Sequence, residues 1–200
     1  MLVGVWDAIQ TVLGAPDFKR ELYTSVLGNE RGRLLDFGCA DGHIADAFSN
    51  FEYYGIDMDE RFIQSAQQRF AGMKNMQFLC ADLKSRPYGE NFFDQILLAG
   101  TAHHLSDALY TDMLCELCYC LKPRGVIHVL DPVFQDKDRW QQRLMRRLDR
   151  GRFSRTTAQL IDLTPPGRFE VGTPTWHVPY GALLQECDMV HIPLMKLPGT

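Results

Sequence analysis

The sequence lacks a long uninterrupted run of apolar residues. None of its stretches approaches the roughly 18 uncharged apolar residues that a membrane-spanning helix requires. The first twenty residues are fairly apolar, but Asp7 interrupts them and the first lysine comes only at position 19. A secretory signal peptide begins with its basic region instead. We therefore expect a cytoplasmic protein without stable membrane insertion.

The chain also lacks an excess of positive charge. Its 21 Lys and Arg residues against 25 Asp and Glu residues give a net charge of −4, so we do not expect nucleic acid as a partner. With 46% hydrophobic and 23% charged residues, the 200-residue chain has the composition of an average globular protein, which excludes a disordered or fibrous chain. We expect a single domain over residues 1–200.

A complete set of metal ligands is missing as well. Cys115, Cys118 and Cys120 are clustered, but they fall in one helical pattern without a second CxxC or a His pair to complete a tetrahedral zinc site. The six cysteines do not form the framework of a small disulfide-rich domain in a chain of this length. We expect reduced thiols in the core and no metal.

Apolar runs alternate with helical patterns between residues 33 and 132. The strand candidates are RLLDFG, YYGID, MQFLCADL, FFDQILLAG and VIHVLDP, and the helix candidates are ADGHIADAFSN, ERFIQSAQQRF and SDALYTDMLCELCYCL. Strands that are apolar on both faces and separated by helices predict a parallel sheet covered on both sides. We expect one or two helices in residues 1–30 and a cofactor-binding core over 33–132. A basic helix and antiparallel edge strands are expected over 134–200.

A glycine turn and an acidic residue follow the first two predicted strands. Gly38 and Gly42 let the backbone turn tightly and approach a ligand closely, and the next helix begins with unpaired amides. Asp57 ends the second strand 19 residues after Gly38, the spacing at which a carboxylate accepts hydrogen bonds from ribose hydroxyls. The pattern predicts a site for an adenosine-type nucleoside that carries a charged group.

The charges around the turn distinguish between two nucleoside cofactors. The dinucleotide fingerprint G-x-G-x-x-G fails here at Ala40 and His43. Asp36, just before the turn, would repel a pyrophosphate and attract an ammonium group. This favours S-adenosylmethionine, whose methionine part carries an ammonium and a carboxylate. An NAD(P)-dependent oxidoreductase and a non-catalytic nucleoside-binding protein of the same fold remain the alternatives.

Five segments resemble, in order and spacing, the motifs of the class I S-adenosylmethionine-dependent methyltransferases. They are LLDFGCADG, YYGIDMDERFI, FLCADL, FFDQILLAGTAHHL and LKPRGVIHVLDP, and together they cover about residues 33–132. The resemblance implies an α/β, Rossmann-like three-layer sandwich. Its seven-stranded, mostly parallel sheet would have one antiparallel strand and would take its last two strands from residues 165–197. The implied activity is methyl transfer to a small-molecule acceptor.

The same resemblance implies which residues hold the cofactor. Asp57 would bind the ribose, and Met58 would lie beside the adenine. The other implied cofactor residues are Asp36, Gly38, Ala40 and Gly42 at the methionine part, Asp82 and Leu83 at the adenine edge, and Ala99 near the sulfonium. Ala40 departs from the family pattern, which commonly has a glycine there.

Three residues are candidates for the catalytic step. His103 and His104 follow the fourth strand at the mouth of the predicted site, and neutral imidazole is a suitable base near pH 7. His104 is the preferred base of the two. Asp131 closes the fifth strand and is a candidate for the wall of the active site, while His128 within that strand is expected in the core. A base is needed only if the acceptor loses a proton during the attack.

A basic segment follows the predicted core. Residues 137–155 contain eight basic and two acidic residues with helical spacing of the arginines. We expect a basic helix here, either on the solvated surface or over an anionic or lipid-linked acceptor. Trp176, His177 and Tyr180 lie in a late aromatic strand, which we expect to pack on the sheet rather than to line an acceptor pocket.

Overall fold

The computed structural model describes residues 15–133, 152–177 and 188–200. Its α-helices are α1 (Ala15–Leu27), α2 (Glu60–Arg69), α3 (Asp107–Cys120) and α4 (Thr157–Asp162). Its strands are β1 (Arg33–Phe37), β2 (Glu52–Asp57), β3 (Met76–Cys80), β4 (Phe93–Ala99), β5 (Leu121–Pro132), β6 (Phe169–Val171), β7 (Thr175–His177) and β8 (Met189–Lys196). Within these ranges no helix is long and apolar enough to cross a membrane.

The sheet confirms the predicted architecture. Its strand order is β3-β2-β1-β4-β5-β8-β6, with β7 also paired to β8. Strands β1 to β5 are parallel to one another, and β8 is antiparallel to β5. Because β6 and β7 are antiparallel to β8, they run in the same direction as β1 to β5. One antiparallel strand therefore lies in an otherwise parallel sheet.

The outer edge position is divided between two short strands. β6 pairs with Leu194–Lys196 and β7 with Met189–His191, so both occupy the same side of β8. Pro193 lies between the two pairings and has no N–H to donate, while its carbonyl accepts from the N–H of Gly172 at 2.8 Å. Eight strands thus occupy the seven predicted positions.

Consecutive strand residues face opposite layers of the core. Leu34 and Leu97 pack with α1 and α2, whereas Leu35 and Ile96 pack with α3 and α4, and all four side chains are fully buried. This alternation follows from the two-residue period of a strand. Since both faces are apolar, helices cover both sides, and the three predicted layers are present.

The helix starts follow local capping chemistry. Ser106 accepts from the N–H of Leu109 at the start of α3. Asp59 caps α2, and Thr156 forms a reciprocal capping box with Gln159 at the start of α4. The predicted helix over residues 40–50 is only a short 3-10 helix, Ala45–Phe48, because the preceding turn and the start of β2 at Glu52 leave little chain for a full α-helix.

His128 and His191 form a hydrogen-bonded pair inside the sheet. His128 Nδ1 lies 3.1 Å from His191 Nε2, and His128 Nε2 lies 2.9 Å from Gln95 Oε1. The predicted core position of His128 is confirmed, since it is 6% exposed. Burial lowers the pKa of His128 to about 3 and that of His191 to about 4, so both rings are neutral in the folded protein at pH 7.

Acid should destabilise the fold through this pair. In the unfolded chain a histidine titrates near pH 6.5, so between about pH 6 and pH 4 unfolding takes up protons and stability falls as pH falls. We expect His191→Gln to reduce the slope of unfolding free energy against pH by about 1 kcal/mol per pH unit between pH 6 and pH 5. Urea unfolding across this range measures the slope. His43→Gln, at a partly exposed histidine, is the control, and an unchanged slope in His191→Gln would contradict the expectation.

Candidate cofactor and active site

The carboxyl ends of the central strands meet at one edge of the sheet. The N–H groups of Gly38 and Cys39 donate to the Ile56 carbonyl at 2.8 and 3.1 Å, which joins the end of β1 to the end of β2. On the other side, the N–H of Gly100 donates to the Leu130 carbonyl at 2.8 Å and joins the ends of β4 and β5. The chain order reverses between β1 and β4, and open α/β sheets bind ligands at such a point.

The glycine turn follows β1 with three residues in the left-handed region. Gly38, Ala40 and Gly42 have φ angles of +79°, +48° and +70°. A Cβ on Gly38 would lie 2.6 Å from Thr101 Oγ1, so a side chain there would have to displace the Thr101 hydroxyl. The left-handed conformation costs Ala40 about 1 kcal/mol relative to the right-handed region. This turn brings the backbone itself, rather than side chains, to the edge of the sheet.

Asp57 is fixed by two backbone amides. Its Oδ2 accepts from the N–H of Ala40 at 3.0 Å, and its Oδ1 accepts from the N–H of Asp59 at 2.9 Å. Each carboxylate oxygen has a second lone pair, so the group can accept two further hydrogen bonds. Met58, next in the chain, is 74% exposed at the same edge. The Asp57 carboxylate suits the hydroxyls of a ribose, and the exposed Met58 side chain beside it suits the attached base.

The end of β3 adds a second carboxylate beside Asp57. The N–H of Ala81 donates to the Asp57 carbonyl at 3.2 Å, which places Asp82 next to the end of β2. Asp82 is exposed, and its Oδ1 accepts from the N–H of Lys84 at 3.0 Å. Leu83 begins the short 3-10 helix Leu83–Ser85. The residues predicted to surround the adenine therefore lie at adjacent strand ends.

Asp36 lies beneath the turn rather than on its surface. Its side chain is 3% exposed, and Oδ2 accepts from the Tyr53 hydroxyl at 2.6 Å. Burial raises the pKa of Asp36, while the Tyr53 hydrogen bond, the nearby His43 and the positive charge of Lys19 act in the opposite direction. Gly38, two residues later in the chain, is partly exposed in the turn.

His103 and Asp131 form a buried pair at the ends of β4 and β5. His103 Nδ1 lies 2.9 Å from Asp131 Oδ1, which also accepts from the N–H of Ala102 at 3.1 Å. His103 is 6% exposed and Asp131 is 2% exposed, whereas His104 is exposed. Because a carboxylate accepts at Nδ1, the neutral ring of His103 has its basic nitrogen at Nε2. The pair has the arrangement of a base oriented by a carboxylate.

Arg155 holds the segment that carries these histidines. Its guanidinium donates to the carbonyls of Ala102 at 2.8 Å and Leu105 at 2.6 Å, and to Asp107 Oδ1 from Nε at 2.9 Å and Nη2 at 2.8 Å. The N–H of Phe153 donates to the His103 carbonyl at 3.0 Å. Sequence reasoning missed this role, although the sequence Ser-Arg-Thr-Thr, with its capping residue Thr156, is a signal that no helix continues through Arg155.

The prediction of a basic helix through residue 155 is wrong for its final part. Residues 152–156 are not helical, since Thr156 caps α4, and Arg155 is buried instead of facing solvent. The rest of the predicted helix, residues 137–151, lies outside the described residues. So does Tyr180.

The aromatic strand does not pack as expected. Trp176 is 56% exposed, and its indole N–H donates to Thr157 Oγ1 at 3.3 Å, because β7 is short and lies at the edge of the sheet. His177 is half-buried, and its ring centroid lies 6.1 Å from that of Phe18. The expected packing on the sheet is therefore wrong for Trp176.

The residues present fit S-adenosylmethionine better than a dinucleotide. Carboxylates of Asp36, Asp57 and Asp82 lie at or under successive strand ends, where a pyrophosphate would meet negative charge. Ala99 ends β4 beside Gly100, whose φ of +65° turns the chain away from the edge. The close backbone of the turn and the ordered carboxylate of Asp57 suit a nucleoside joined to an amino acid.

Comparison with known proteins finds sequence similarity to methyltransferases. A family model described as a methyltransferase domain matches residues 34–125. The chain is 26% identical over 132 residues to a phosphoethanolamine N-methyltransferase from Plasmodium falciparum, covering 64% of this chain and 49% of the relative. It is 36% identical over 104 residues to the uncharacterized methyltransferase YcgJ of Bacillus subtilis, covering 50% and 40%. The chain thus spans about half the length of the curated relatives it matches.

Solved structures share the fold. The crystal structure of the YcgJ protein from Bacillus subtilis matches with a TM-score of 0.74 at 17% identity, covering 92% of this chain and 100% of that one. The geranyl diphosphate C-methyltransferase of Streptomyces coelicolor, solved with S-adenosyl-L-homocysteine, also has a TM-score of 0.74, at 11% identity and with 90% and 80% covered. At these identities the likeness establishes the three-layer fold.

Proposed function

We propose that this chain, a member of the class I S-adenosylmethionine-dependent methyltransferases, transfers the methyl group of S-adenosylmethionine to a small-molecule acceptor. The observation that carries the proposal is the position of Asp57, where two backbone amides aim a carboxylate along the edge at which the strand order reverses. The cofactor of the family supplies a methyl group on a sulfonium centre. Orientation of an acceptor toward that methyl group can supply most of the acceleration.

The residues at the sheet edge would divide the cofactor between them. Asp57 would accept hydrogen bonds from the ribose hydroxyls, and Met58 would cover one face of the adenine. The remaining proposed contacts are Asp82 and Leu83 at the adenine edge, Asp36 and the turn with Gly38, Ala40 and Gly42 at the methionine part, and Ala99 near the sulfonium.

For an acceptor that must lose a proton, we assign the base to His103. Asp131 supports this assignment because it accepts at Nδ1 and orients the ring, and an adjacent carboxylate stabilises the imidazolium that forms. His104 is preferred by sequence alone, but it is exposed, whereas His103 is buried against Asp131. Asp131 then acts as a positioning residue, and Arg155 fixes the segment between β4 and α3.

The acceptor in this proposal carries an anionic group, free or linked to a lipid. Residues 137–155 contain eight basic residues directly after the cofactor core, and seven of them remain for an anionic group once the buried Arg155 is set aside. The names of two similar proteins, a phosphoethanolamine N-methyltransferase and a geranyl diphosphate C-methyltransferase, each include a phosphate-bearing compound. Action in the cytoplasm and organisation as a single domain stay predictions.

Methyl-labelled S-adenosylmethionine and a metabolite extract divided by anion exchange test the activity. We expect label to enter a small molecule in the anionic fractions. Label in a neutral fraction would contradict the anionic acceptor while leaving methyl transfer in place. A protein that binds S-adenosylhomocysteine but labels no fraction would instead favour a nucleoside-binding protein without catalysis.

Asp57→Ala tests the cofactor site itself. The loss of charge-assisted hydrogen bonds to the ribose should weaken S-adenosylhomocysteine binding at least about tenfold in calorimetry. Asp112→Ala, which removes an exposed carboxylate from α3, is the matched control and should bind normally. Equal affinities in wild type and Asp57→Ala, with both proteins folded, would contradict the assignment of this edge to the cofactor.

A further inference from the structure

Helix α1 places a lysine over the end of β4. A Cβ built on Gly100 would lie 3.2 Å from Lys19 Nζ and 3.9 Å from His103 Cε1. The lysine ammonium and the histidine ring therefore border the same small space at the carboxyl end of β4. Lys19 is half-buried there, although it comes from a helix outside the segments that resemble the family motifs.

The position of this lysine is set by the packing of α1. Arg20 Nη2 donates to the His43 carbonyl at 3.2 Å and to Asp46 Oδ1 at 2.6 Å, which ties the helix to the segment after the glycine turn. Tyr23 is fully buried, and its hydroxyl donates to the His128 carbonyl at 3.4 Å. These contacts hold α1 against the face of the sheet beside the cofactor site.

The charge of Lys19 acts on the methionine end of the site. Its ammonium lies close enough to Asp36 to lower the pKa of that carboxyl, against the larger effect of burial. The Lys19 ammonium at the end of β4 and the Asp36 carboxylate under the turn thus lie near each other. The amino-acid group of a ligand carries a carboxylate and an ammonium, so its two charges are complementary to those of Lys19 and Asp36.

We propose that Lys19 binds the carboxylate of the methionine part of the cofactor, so that α1 completes the cofactor site. This inference rests on the proposed function, because it assumes that the edge of the sheet binds S-adenosylmethionine. A lysine contact with an anionic acceptor is the rival interpretation. Removing the charge of Lys19 should weaken cofactor binding under the first interpretation and acceptor binding under the second.

The test compares two nucleosides that differ in the amino-acid group. S-adenosylhomocysteine has the carboxylate, and 5′-methylthioadenosine retains the adenosine and sulfur without it. In calorimetry, Lys19→Met should weaken S-adenosylhomocysteine binding at least about tenfold and leave 5′-methylthioadenosine binding within about twofold. Lys19→Arg should recover most of the lost affinity because it restores the charge. Lys74→Met, at an exposed lysine, is the control and should bind both ligands normally.

Three other outcomes of these titrations would each overturn the proposal. Equal weakening of both ligands would overturn the proposal, because it would show that the substitution disturbs α1 rather than a carboxylate contact. Unchanged binding of both ligands would also overturn it, and a raised KM for the acceptor would then assign Lys19 to the acceptor. Failure of the wild-type protein to bind either nucleoside would overturn the proposed function and this inference together.

Discussion

Replacing Arg155 by methionine should lower the free energy of unfolding by about 2 kcal/mol. Methionine also removes the guanidinium from its position near the rings of Tyr110 and Phe153, so the loss reports on the guanidinium hydrogen bonds together with these two ring contacts. The Leu105 carbonyl loses the donor that Arg155 provides, whereas the Ala102 carbonyl keeps a hydrogen bond from the N–H of Leu105. Asp107 contributes less, because its side chain is 72% exposed and water screens the ion pair.

Urea unfolding measures this change, and amide hydrogen exchange locates it. Exchange should accelerate in residues 101–105, the segment that Arg155 holds, before it accelerates in β1 or β4. Arg152→Met, at an exposed arginine three residues away, should change stability by less than about 0.5 kcal/mol. An Arg155→Met protein as stable as wild type would mean that the four hydrogen bonds to residues 102–107 add nothing to the fold.

His103→Ala should lower turnover about a hundredfold with an acceptor that loses a proton during methylation. The expected cause is the loss of the base that Asp131 orients at 2.9 Å. S-adenosylhomocysteine affinity should change little, so the defect should appear in kcat. His104→Ala is the matched control, because it removes the neighbouring exposed ring and should leave turnover near normal. A near-normal rate in His103→Ala with a strong loss in His104→Ala would reverse the assignment.

Asp131→Asn separates orientation from charge. An asparagine oxygen can still accept from His103 Nδ1 and from the N–H of Ala102, so the geometry should remain. The negative charge that stabilises the imidazolium is lost, which should move the acid limb of the pH–rate profile to lower pH. A purely structural role for Asp131 would lower stability without moving that limb.

The sheet and the cofactor edge could be predicted from the sequence because their signals are local. Apolar runs such as the one from Phe93 to Ala99 lie between glycine turns and capping residues, and these fix strand limits within a few residues. Asp57 follows from its spacing after Gly38, since the βαβ connection sets that distance. The short 3-10 helix Ala45–Phe48 differs from the prediction because its apolar spacing fits one turn of either helix type.

The contacts of Arg155 and Lys19 could not be predicted in the same way. Arg155 ends a basic run with helical spacing, and its burial depends on carbonyls about 50 residues earlier in the chain. Lys19 is one basic residue in an amphipathic pattern, and its place over Gly100 depends on how α1 docks through Arg20 and Tyr23. His103 and His104 are adjacent in sequence, and only tertiary structure shows which of them meets Asp131.

Two titrations of one protein sample test most directly whether the edge formed by the glycine turn and Asp57 binds S-adenosylmethionine. S-adenosylhomocysteine is titrated by calorimetry, and NADH is titrated by its nicotinamide fluorescence. We predict saturable binding of S-adenosylhomocysteine with one site per chain and no saturable change with NADH. Saturable NADH binding without any binding of S-adenosylhomocysteine would contradict the claim and favour an oxidoreductase.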